Sequence, residues 1–576
     1  MCGICGIYNV NGNDDLSVIS RMTVKLTHRG PDDKGFFSEG PVSLGMRRLS
    51  IIDLDRGKQP ILNEEKNICL IFNGEIYNYK QLRLELEEKG HEFSTSSDTE
   101  TIIHAYEEYG RECVQKLKGM FAFAIYDARN KSLFLARDPF GIKPLFYTLS
   151  GNTFVFASEI KSLFQYPGVK RMFDESTFAE KFLFGYSIND STIFEGVKSV
   201  MPAHWISVSP RSVKENGLTG IRQQRYWSYS IKPDSSICEN DAVKRLKDLL
   251  EESVRRRLMS DVGFGVFLSG GIDSSVIAAI SSKLSDRPIK TFTVGVEGNK
   301  DFEHARIVAE SLGTDHHEVI TSETDPDKTL CEYVYALEDT EPTGTGPLIV
   351  SKGARKWTKM ALCGQASDEL LGGYPKYKEV SGAHDDLVSR WSSISIPIRS
   401  NQRLRNTLDY LNKYTSSIQA NGFYGLLHYD LGFKLTNNQL ATVDRTSMAA
   451  SVEVRVPFLD TDLVSFLNTV PSELKMKNNT EKYILRRVAA QYSLPEKIIK
   501  REKYMPSMDP PKATKAPVRN QETASTIRRE KLIKPISSNY RRVLDKDQRT
   551  FLDLLFVFFI INKGEIPGNF SISDIY

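Results

Sequence analysis

Residues 262–275 of this 576-residue chain read VGFGVFLSGGIDSS, and this stretch indicates the architecture of the second half of the protein. Its apolar beginning is typical of a buried strand, and the VIAAI that follows it is typical of a helix. Glycines between a strand and a helix allow backbone N–H groups to close around an anion at the helix amino terminus. The sequence at Ser269, Gly270 and Gly271 therefore predicts either an anion-binding loop or a plain connection between the two elements.

Strands and helices are predicted to alternate beyond this loop. The pattern gives strands at residues 289–296, 316–320 and 359–364, with helices at 303–313 and 348–357. Such alternation predicts a parallel sheet covered by helices. Ligands of an open parallel sheet bind beyond the carboxyl ends of its strands. We therefore expect the SGGIDSS loop and the later loop GQASDE to face one crevice.

That crevice is expected to contain two carboxylates. Asp273 follows the first strand, and Asp368 follows the last one. Mg²⁺ is usually bound through one or two carboxylates together with phosphate oxygens. Because a single Asp after a strand is more often a helix cap, the expectation of Mg²⁺ depends on the pair.

The first half of the chain begins MCGICGIYNV, and Cys2 has three interpretations. A structural zinc site with Cys5 would need a second pair of ligands, and no other Cys-x-x-Cys occurs in the sequence. Removal of the initiator Met would instead place a thiol and an α-amine on Cys2. Because an α-amine has a pKa of about 7.7 to 8.0, it could take the proton from that thiol and make Cys2 a nucleophile. The third interpretation is a small buried residue of a first strand.

Short segments with strand character follow Cys2, and Gly, Asn and Asp turns separate them. They cover residues 43–54, 67–78, 119–127, 132–138 and 154–158. Helical patterns lie between some of them, and the whole predicts a mainly antiparallel α+β domain.

Five motifs occur in this domain: HRGPDD (28–33), RRLS (47–50), FNGEIYN (72–78), SSDTE (96–100) and RDPFGIKPLFY (137–147). In this order they resemble the class II glutamine amidotransferase domain, which has an N-terminal-nucleophile (Ntn) hydrolase fold. The resemblance implies that Cys2 attacks the glutamine amide and that Asn73 and the Gly74 N–H form the oxyanion hole. It also implies that Arg48 holds the glutamine carboxylate, with Glu75 and Asp98 at the amino group.

Taken singly, these residues have simpler structural explanations. Asn73 and Gly74 form a favourable turn dipeptide, Arg48 could be a surface cation, and Asp98 could cap the helix that follows it. Their occurrence together behind a terminal Cys favours glutamine hydrolysis.

In the second half, Ser-Gly-Gly-x-Asp-Ser resembles the ATP-pyrophosphatase (PP) loop, which lacks the Gly-Lys ending of a Walker loop. Together with residues 445–460 and 480–489, it makes the chain resemble the glutamine-hydrolysing asparagine synthetases as far as about Lys503. The resemblance implies that aspartate and ATP form β-aspartyl-AMP, which ammonia from glutamine then converts to asparagine and AMP.

The same resemblance assigns residues to this reaction. Asp273 and Asp368 would bind Mg²⁺, and Lys482 would neutralise charge at the α-phosphate. The simpler alternative for Lys482 is a solvent-facing position on a helix. The implied ATP contacts are Leu268, Ser269, Gly270, Gly271, Asp273, Ser274, Ser275, Val294, Gly364 and Gln365.

Gln365 departs from the family pattern. The family loop commonly reads Ser-Gly-Glu-Gly-Ser/Ala-Asp-Glu, whereas residues 363–369 read CGQASDE. The family's Glu is thought to accept a proton as ammonia attacks, which a glutamine amide cannot do at neutral pH. Another base, a tightly held water and an acceptor other than aspartate all stay open. So does a glutamine-sensing protein whose synthetase half has decayed.

Composition limits the partners and the location. The formal charge of +3 comes from 76 basic and 73 acidic residues, so no broad positive field is available for nucleic acid. Seven cysteines and no recognisable signal peptide favour a reducing cytoplasm. The longest apolar run, residues 551–561, is shorter than the roughly 20 residues of a membrane span and predicts a buried helix. A homodimer stays open.

The predicted fold class is therefore α/β plus α+β. An Ntn-hydrolase glutaminase sandwich is expected at residues 1–230, and a PP-loop α/β synthetase domain, of the adenine-nucleotide α hydrolase-like type, is expected at residues 240–576. The polar stretch between them is the predicted boundary.

Overall fold

The computed structural model describes residues 2–12, 16–339, 344–378, 405–407, 409–411, 413 and 422–503. The helix predicted at residues 551–561 lies outside these ranges. Among the described residues, no helix combines the length and apolar character that crossing a membrane requires.

The first half of the chain contains two six-stranded antiparallel sheets. The first sheet has the order β10-β8-β9-β1-β3-β2 and the second has the order β12-β11-β7-β6-β5-β4. The strands are β1 (Cys2–Asn9), β2 (Asp33–Glu39), β3 (Val42–Arg48), β4 (Ile61–Leu62), β5 (Ile68–Ile76), β6 (Gly119–Asp127), β7 (Ser132–Arg137), β8 (Phe146–Ser150), β9 (Thr153–Ala157), β10 (Lys198–Ser199), β11 (His204–Val208) and β12 (Gln223–Arg225).

Alternation along the strands explains why these sheets form a sandwich. In β1, Cys2, Ile4 and Tyr8 join the apolar core between the two sheets, whereas Cys5 and Ile7 face the helical layer outside it. Side chains of a strand point to opposite faces in turn, so both faces of β1 are buried. Helices cover the outer faces: α1 (Leu16–Val24) and α4 (Ile160–Leu163) on the first sheet, and α2 (Tyr79–Glu88) and α3 (Asp98–Tyr109) on the second.

The strand predicted at residues 43–54 is shorter in the structure, because β3 ends at Arg48. Beyond it, the Arg48 guanidinium donates hydrogen bonds to the carbonyl oxygens of Ile52 at 3.0 Å and Asp53 at 2.7 Å. These carbonyl groups therefore bond a side chain instead of a neighbouring strand.

Two further helices, α5 (Glu175–Phe184) and α6 (Pro210–Asn216), precede the second half, which is built on a five-stranded parallel sheet of order β15-β14-β13-β16-β17. The strands are β13 (Phe264–Phe267), β14 (Lys290–Gly295), β15 (Asp315–Ile320), β16 (Met360–Leu362) and β17 (Glu453–Arg455). The chain runs from β13 to β14 and β15 on one side and later returns to β16 on the other. β13 and β16 therefore flank the point where the strand order reverses, which is where α/β sheets bind ligands.

Helices precede, connect and follow these strands. They are α7 (Glu239–Arg257), α8 (Ile272–Lys283), α9 (Lys300–Leu312), α10 (Pro326–Leu337), α11 (Gly346–Ala354), α12 (Ser367–Leu371), α13 (Gly422–Tyr429), α14 (Ala441–Ala449), α15 (Thr461–Leu467), α16 (Ser472–Lys475), α17 (Tyr483–Ala490) and α18 (Glu496–Ile499). A π-helical segment at Asp430–Leu440 leads into α14, and a two-stranded ribbon, β18 (Met476–Lys477) and β19 (Thr480–Glu481), precedes α17.

Candidate active sites

Cys2 and Asn73 meet between the two sheets of the first half. Cys2 is the first residue of β1 and is 6% exposed, and its backbone nitrogen donates to Asn73 Oδ1 at 3.0 Å. Asn73 lies in β5 and is fully buried. The predicted nucleophile and the predicted oxyanion residue are therefore neighbours.

The amide of Asn73 has a spare donor. Its oxygen accepts from Cys2, while its Nδ2 nitrogen is buried and has no hydrogen-bond partner among the described residues. A buried N–H group without a partner is costly, and an oxyanion formed beside Cys2 would satisfy it. Gly74 is required by space, because a Cβ there would lie 2.0 Å from the Met120 carbonyl oxygen.

Arg48 is a buried cation in the strand next to Cys2. It lies opposite Cys2 in the pairing of β1 with β3, and its side chain is buried. Its hydrogen bonds go to neutral backbone carbonyls, so its positive charge is not neutralised by them. The predicted role at the glutamine carboxylate stays a prediction.

Glu75 and Asp98 lie next to this pair. Asp98 Oδ2 accepts from the Ile76 N–H at 2.8 Å, and burial raises the pKa of Asp98 to about 6. Asp98 is the first residue of α3, while Ser97 caps the helix by accepting from Thr99 N at 3.1 Å. The capping explanation for Asp98 is therefore wrong.

Glu75 has one oxygen to spare. Its Oε1 lies 3.1 Å from Arg455 Nη2, and its buried Oε2 has no hydrogen-bond partner among the described residues. Burial raises the pKa of Glu75 well above its ordinary value, although Arg455 opposes this. An ammonium group would satisfy the spare oxygen and favour the ionised carboxylate.

Arg455 was missed by the sequence analysis. It is fully buried in β17 of the parallel sheet, and its Nε donates to Glu453 at 2.5 Å while Nη2 faces Glu75. The sequence SVEVRVPF contained a signal for Arg455. Glu453 and Arg455 are opposite charges at alternate positions of an apolar strand, so they share one face of it. Their partner in the other half of the chain could not be inferred.

A second group of buried charges joins the two halves. Arg29 donates to Glu159 at 3.0 Å and to Asp444 at 2.8 Å, and Lys143 also donates to Asp444, at 3.1 Å. Arg29 Nε further donates to the carbonyl oxygen of Cys2 at 3.1 Å. The position of Cys2 is thus connected to α14 in the second half through one side chain.

The predicted crevice of the second half is a cavity of about 470 Å³ beyond the ends of β13 and β16. Most of the residues predicted to bind ATP line it: Leu268, Ser269, Gly271, Asp273, Ser274, Val294, Gly364 and Gln365.

Gly270 and Ser275 do not line the cavity. Gly270 has a φ of +66°, and a Cβ there would lie 2.5 Å from His304 Cβ, so the loop can close against α9 only with glycine. Ser275 Oγ donates to the Gly271 carbonyl oxygen at 2.7 Å. Both residues therefore stabilise the conformation of the loop on the side that faces away from the cavity.

Lys482 lies between the two predicted metal ligands. Its Nζ is 2.5 Å from Asp273 Oδ2 and 2.6 Å from Asp368 Oδ1, and the residue is 2% exposed. The solvent-facing alternative for Lys482 is therefore wrong. Lys503, which was not singled out, also pairs with Asp368.

These cations keep Asp368 ionised. Burial would raise the pKa of Asp368, but Lys482 and Lys503 outweigh it and lower that pKa to about 2. Ser367 Oγ donates to Asp273 Oδ1 at 2.6 Å. Because both carboxylates line the cavity and meet at one ammonium group, their oxygens fit the hard-ligand preference of Mg²⁺ beside phosphates.

Arg501 is a further basic residue at this cavity. Its guanidinium donates to the Ser269 carbonyl oxygen at 3.2 Å and to Asp301 at 2.6 Å. With Lys503 it places positive charge beside the loop. The run KREK (500–503) gave no sign of either contact, since a charged run usually forms a solvated surface.

Gln365 is held by a chain of hydrogen bonds. Its Nε2 donates to Gln439 Oε1, Gln439 Nε2 donates to the Tyr374 hydroxyl at 2.6 Å, and that hydroxyl donates to Glu369 Oε1 at 2.5 Å. Burial raises the pKa of Glu369 to about 7; in its ionised form this group only accepts, which sets the direction of every donor in the chain. The nitrogen of Gln365 is therefore engaged, and its carbonyl oxygen is the atom available to the cavity.

Comparison with known proteins gives the following matches. A family model described as a glutamine amidotransferase domain matches residues 1–227, and one described as asparagine synthase matches residues 245–539. Asparagine synthetase [glutamine-hydrolyzing] 3 of Bacillus subtilis is 34% identical over 568 residues, which cover 92% of this chain and 90% of that protein. Asparagine synthetase [glutamine-hydrolyzing] 1 of the same organism is 33% identical over 555 residues, which cover 87% of this chain and 86% of that protein.

Among solved structures, the glutamine phosphoribosylpyrophosphate amidotransferase of B. subtilis matches with 18% identity and a TM-score of 0.29, covering 55% of this chain and 66% of that one. A TM-score this low does not support a further inference.

Proposed function

The chain belongs to the family of glutamine-hydrolysing asparagine synthetases, and we propose that its two candidate active sites are the glutaminase and synthetase sites of that reaction. The protein is an ATP-dependent ligase that makes asparagine from aspartate with glutamine as the nitrogen donor. The predicted fold class is confirmed by the two family models. We assign the glutaminase domain to residues 1–230 and the synthetase domain to residues 240–576.

At the first site, the Cys2 thiol attacks the amide carbon of glutamine. Burial raises the pKa of this thiol, so a nearby base is needed, and the α-amine of Cys2 takes the proton once the initiator Met is removed. The oxyanion accepts hydrogen bonds from Asn73 Nδ2 and the Gly74 N–H. Ammonia leaves with that proton, and water then releases glutamate from the thioester.

At the second site, a carboxylate oxygen of aspartate attacks the α-phosphorus of ATP and displaces pyrophosphate. Backbone N–H groups of Ile272, Asp273 and Ser274, in the first turn of α8, hold the departing pyrophosphate. Lys482 compensates the negative charge that develops at the α-phosphate. Mg²⁺, held by Asp273 and Asp368, would supply further charge neutralisation when bound.

Ammonia completes the reaction by attacking the β-carbonyl carbon of β-aspartyl-AMP. The carbon–oxygen bond to AMP breaks, asparagine forms, and the attacking nitrogen loses one proton. The carbonyl oxygen of Gln365 orients the ammonia by accepting one of its N–H groups. Gln365 does not have to accept the proton that the nitrogen loses, because this proton is transferred to water or to the departing phosphate group.

The observation that carries this proposal is the position of Lys482 between Asp273 and Asp368 at the cavity beyond β13 and β16. The test is product analysis by mass spectrometry after incubation with ATP, Mg²⁺, aspartate and amide-¹⁵N glutamine, with an aspartate-free control. We expect ¹⁵N-asparagine, glutamate and AMP. Glutamate without asparagine would contradict the assignment and indicate a different carboxylate acceptor.

The Gln365→Glu variant is expected to be slower than the wild type, by about tenfold in ammonia-dependent synthesis. A carboxylate at this position would face Gln439 Oε1, and reversal of the Gln439 amide would take the donor away from Tyr374. An unsatisfied buried group costs about 1 to 3 kcal/mol. If this cost raises the free energy of the transition state, it corresponds to roughly this loss of rate.

The rate constants are measured for wild type, Gln365→Glu and Gln365→Leu with ammonium as the nitrogen source. The Leu variant removes the oxygen and the donor chain together, so it separates loss of orientation from added charge. A Glu variant faster than wild type would contradict the prediction and support a synthetase half that has lost its base.

We further propose that the protein is cytoplasmic and acts on small molecules, with neither nucleic acid nor membrane as a partner. The near balance of acidic and basic residues supports this. A homodimer stays an expectation.

A further inference from the structure

Four metal-binding side chains converge in the first half of the chain, apart from both active sites. Glu64 lies in the loop between β4 and β5, His91 follows α2, and His104 and Glu107 lie in α3. One ligand atom from each side chain lies within 4.8 Å of all the others. His104 and Glu107 are three residues apart, so they share one face of the helix.

Three of the distances between ligand atoms in this cluster are close to those of a coordination shell. His104 Nδ1 lies 2.9 Å from Glu107 Oε2 and 3.7 Å from Glu64 Oε1, and His91 Nδ1 lies 3.8 Å from Glu107 Oε2. In a tetrahedral zinc site with bonds of about 2.0 to 2.2 Å, neighbouring ligand atoms are about 3.3 to 3.6 Å apart. The three distances lie on both sides of that value, so small side-chain rotations would complete the shell.

We propose that Glu64, His91, His104 and Glu107 bind one divalent transition-metal ion, with Zn²⁺ as the best match. Two imidazole nitrogens favour Zn²⁺ and its neighbours over Mg²⁺ or Ca²⁺, which prefer an all-oxygen shell.

Residues behind the cluster support the proposal. Glu107 Oε1 accepts from Asn63 Nδ2 at 2.7 Å, which orients its other oxygen toward the cluster. His104 is 1% exposed, and its Nε2 has no hydrogen-bond partner among the described residues while lying 3.8 Å from Glu100 Oε1. A metal-bound His usually has its second nitrogen directed at a carboxylate. In this cluster, His104 Nε2 would be that second nitrogen and Glu100 that carboxylate.

A protonated His104 is the competing explanation of the same geometry. Burial lowers the pKa of His104, but the neighbouring carboxylates of Glu100 and Glu107 outweigh this and raise it to about 9. In that case a proton, and not a metal ion, would neutralise the carboxylates. Metal binding and its loss in variants distinguish the two explanations.

The ion would clamp α3 to two loops. His104 is six residues after Asp98, or about 9 Å along the helix axis at 1.5 Å per residue, so the ion lies outside the predicted glutamine site. It would instead hold α3 against the β4–β5 loop and the segment after α2. We therefore expect Zn²⁺ to stabilise the domain without entering the chemistry.

The test uses the full chain after chelator treatment, titrated with Zn²⁺ by calorimetry and followed by thermal unfolding. We expect one strong site, and a higher unfolding temperature at saturating Zn²⁺ because the ion binds the native state. Glu64→Gln and His91→Gln should each weaken this binding at least 100-fold. Co²⁺ substitution should give the visible absorption of a tetrahedral ion in wild type and not in Glu64→Gln or His91→Gln.

Two control variants match these changes. Glu65→Gln alters the adjacent residue of the same loop, and His316→Gln removes a histidine from β15; both should keep the affinity of the wild type. Glu64 is exposed, so its variant tests the site even if the His91 variant does not fold. Affinity unchanged in Glu64→Gln and His91→Gln, or no strong binding to wild type, would overturn the proposal.

Discussion

The Cys2→Ala variant should lose asparagine synthesis from glutamine, by about 10⁴-fold or more, while synthesis from free ammonia continues at the wild-type rate. Removing the nucleophile of a covalent mechanism eliminates the thioester route altogether. The adenylating site lies in the other half of the chain, where Asp273, Asp368 and Lys482 are untouched. The measurement is the initial rate of AMP and asparagine formation with each nitrogen source.

Cys5→Ala is the matched control. Cys5 lies in the same strand but faces the helical layer, where its Sγ lies 3.4 Å from Thr23 Oγ1. This variant should keep both activities within a few-fold of wild type. Loss of both activities in Cys2→Ala would contradict the separation of the two sites.

The Asp273→Asn variant should show the opposite pattern. We expect AMP formation to fall about 10³-fold with either nitrogen source, whereas glutamine hydrolysis persists. The substitution removes the negative charge that pairs with Lys482 at 2.5 Å and that would hold Mg²⁺ beside the phosphates. Loss of the metal ion reduces the stabilisation of charge when pyrophosphate departs, and Lys482 loses a partner that positions it.

Pyrophosphate release and glutamate formation are measured in the same samples of this variant. Asp286→Asn, a change at an exposed position after α8, is the control and should behave as wild type. Robust AMP formation in Asp273→Asn would remove the assignment of Asp273.

The crevice of the second half could be predicted because a general rule of parallel sheets places it. The strand before Ser269 and the strand before Gly364 were recognisable from their apolar runs, and ligands bind beyond the ends of adjacent strands. The rule required no knowledge of side-chain contacts. For the same reason it placed Asp273 and Asp368 together.

Contacts between distant parts of the chain could not be predicted. Arg29 and Asp444 are 415 residues apart in sequence, and neither the HRGPDD motif nor the sequence around Asp444 indicates the partner. Lys482 could be assigned a role only through resemblance, since its burial depends on how α17 packs against the loop. The cluster around His104 was missed because its four ligands come from three separate elements without a recognisable spacing.

The place of β1 in its sheet affects when the glutaminase site can form during protein synthesis. β1 is made first, yet it pairs with β3 and β9, and Cys5 of β1 lies opposite Ala157 of β9. At roughly 5 to 20 residues per second, a ribosome takes about 8 to 30 s to reach that residue. The contact from Arg29 to Asp444 is made only after most of the second half exists. The nucleophile is therefore synthesised at once but is fully positioned late, after more than half of the domain that consumes its ammonia has been made.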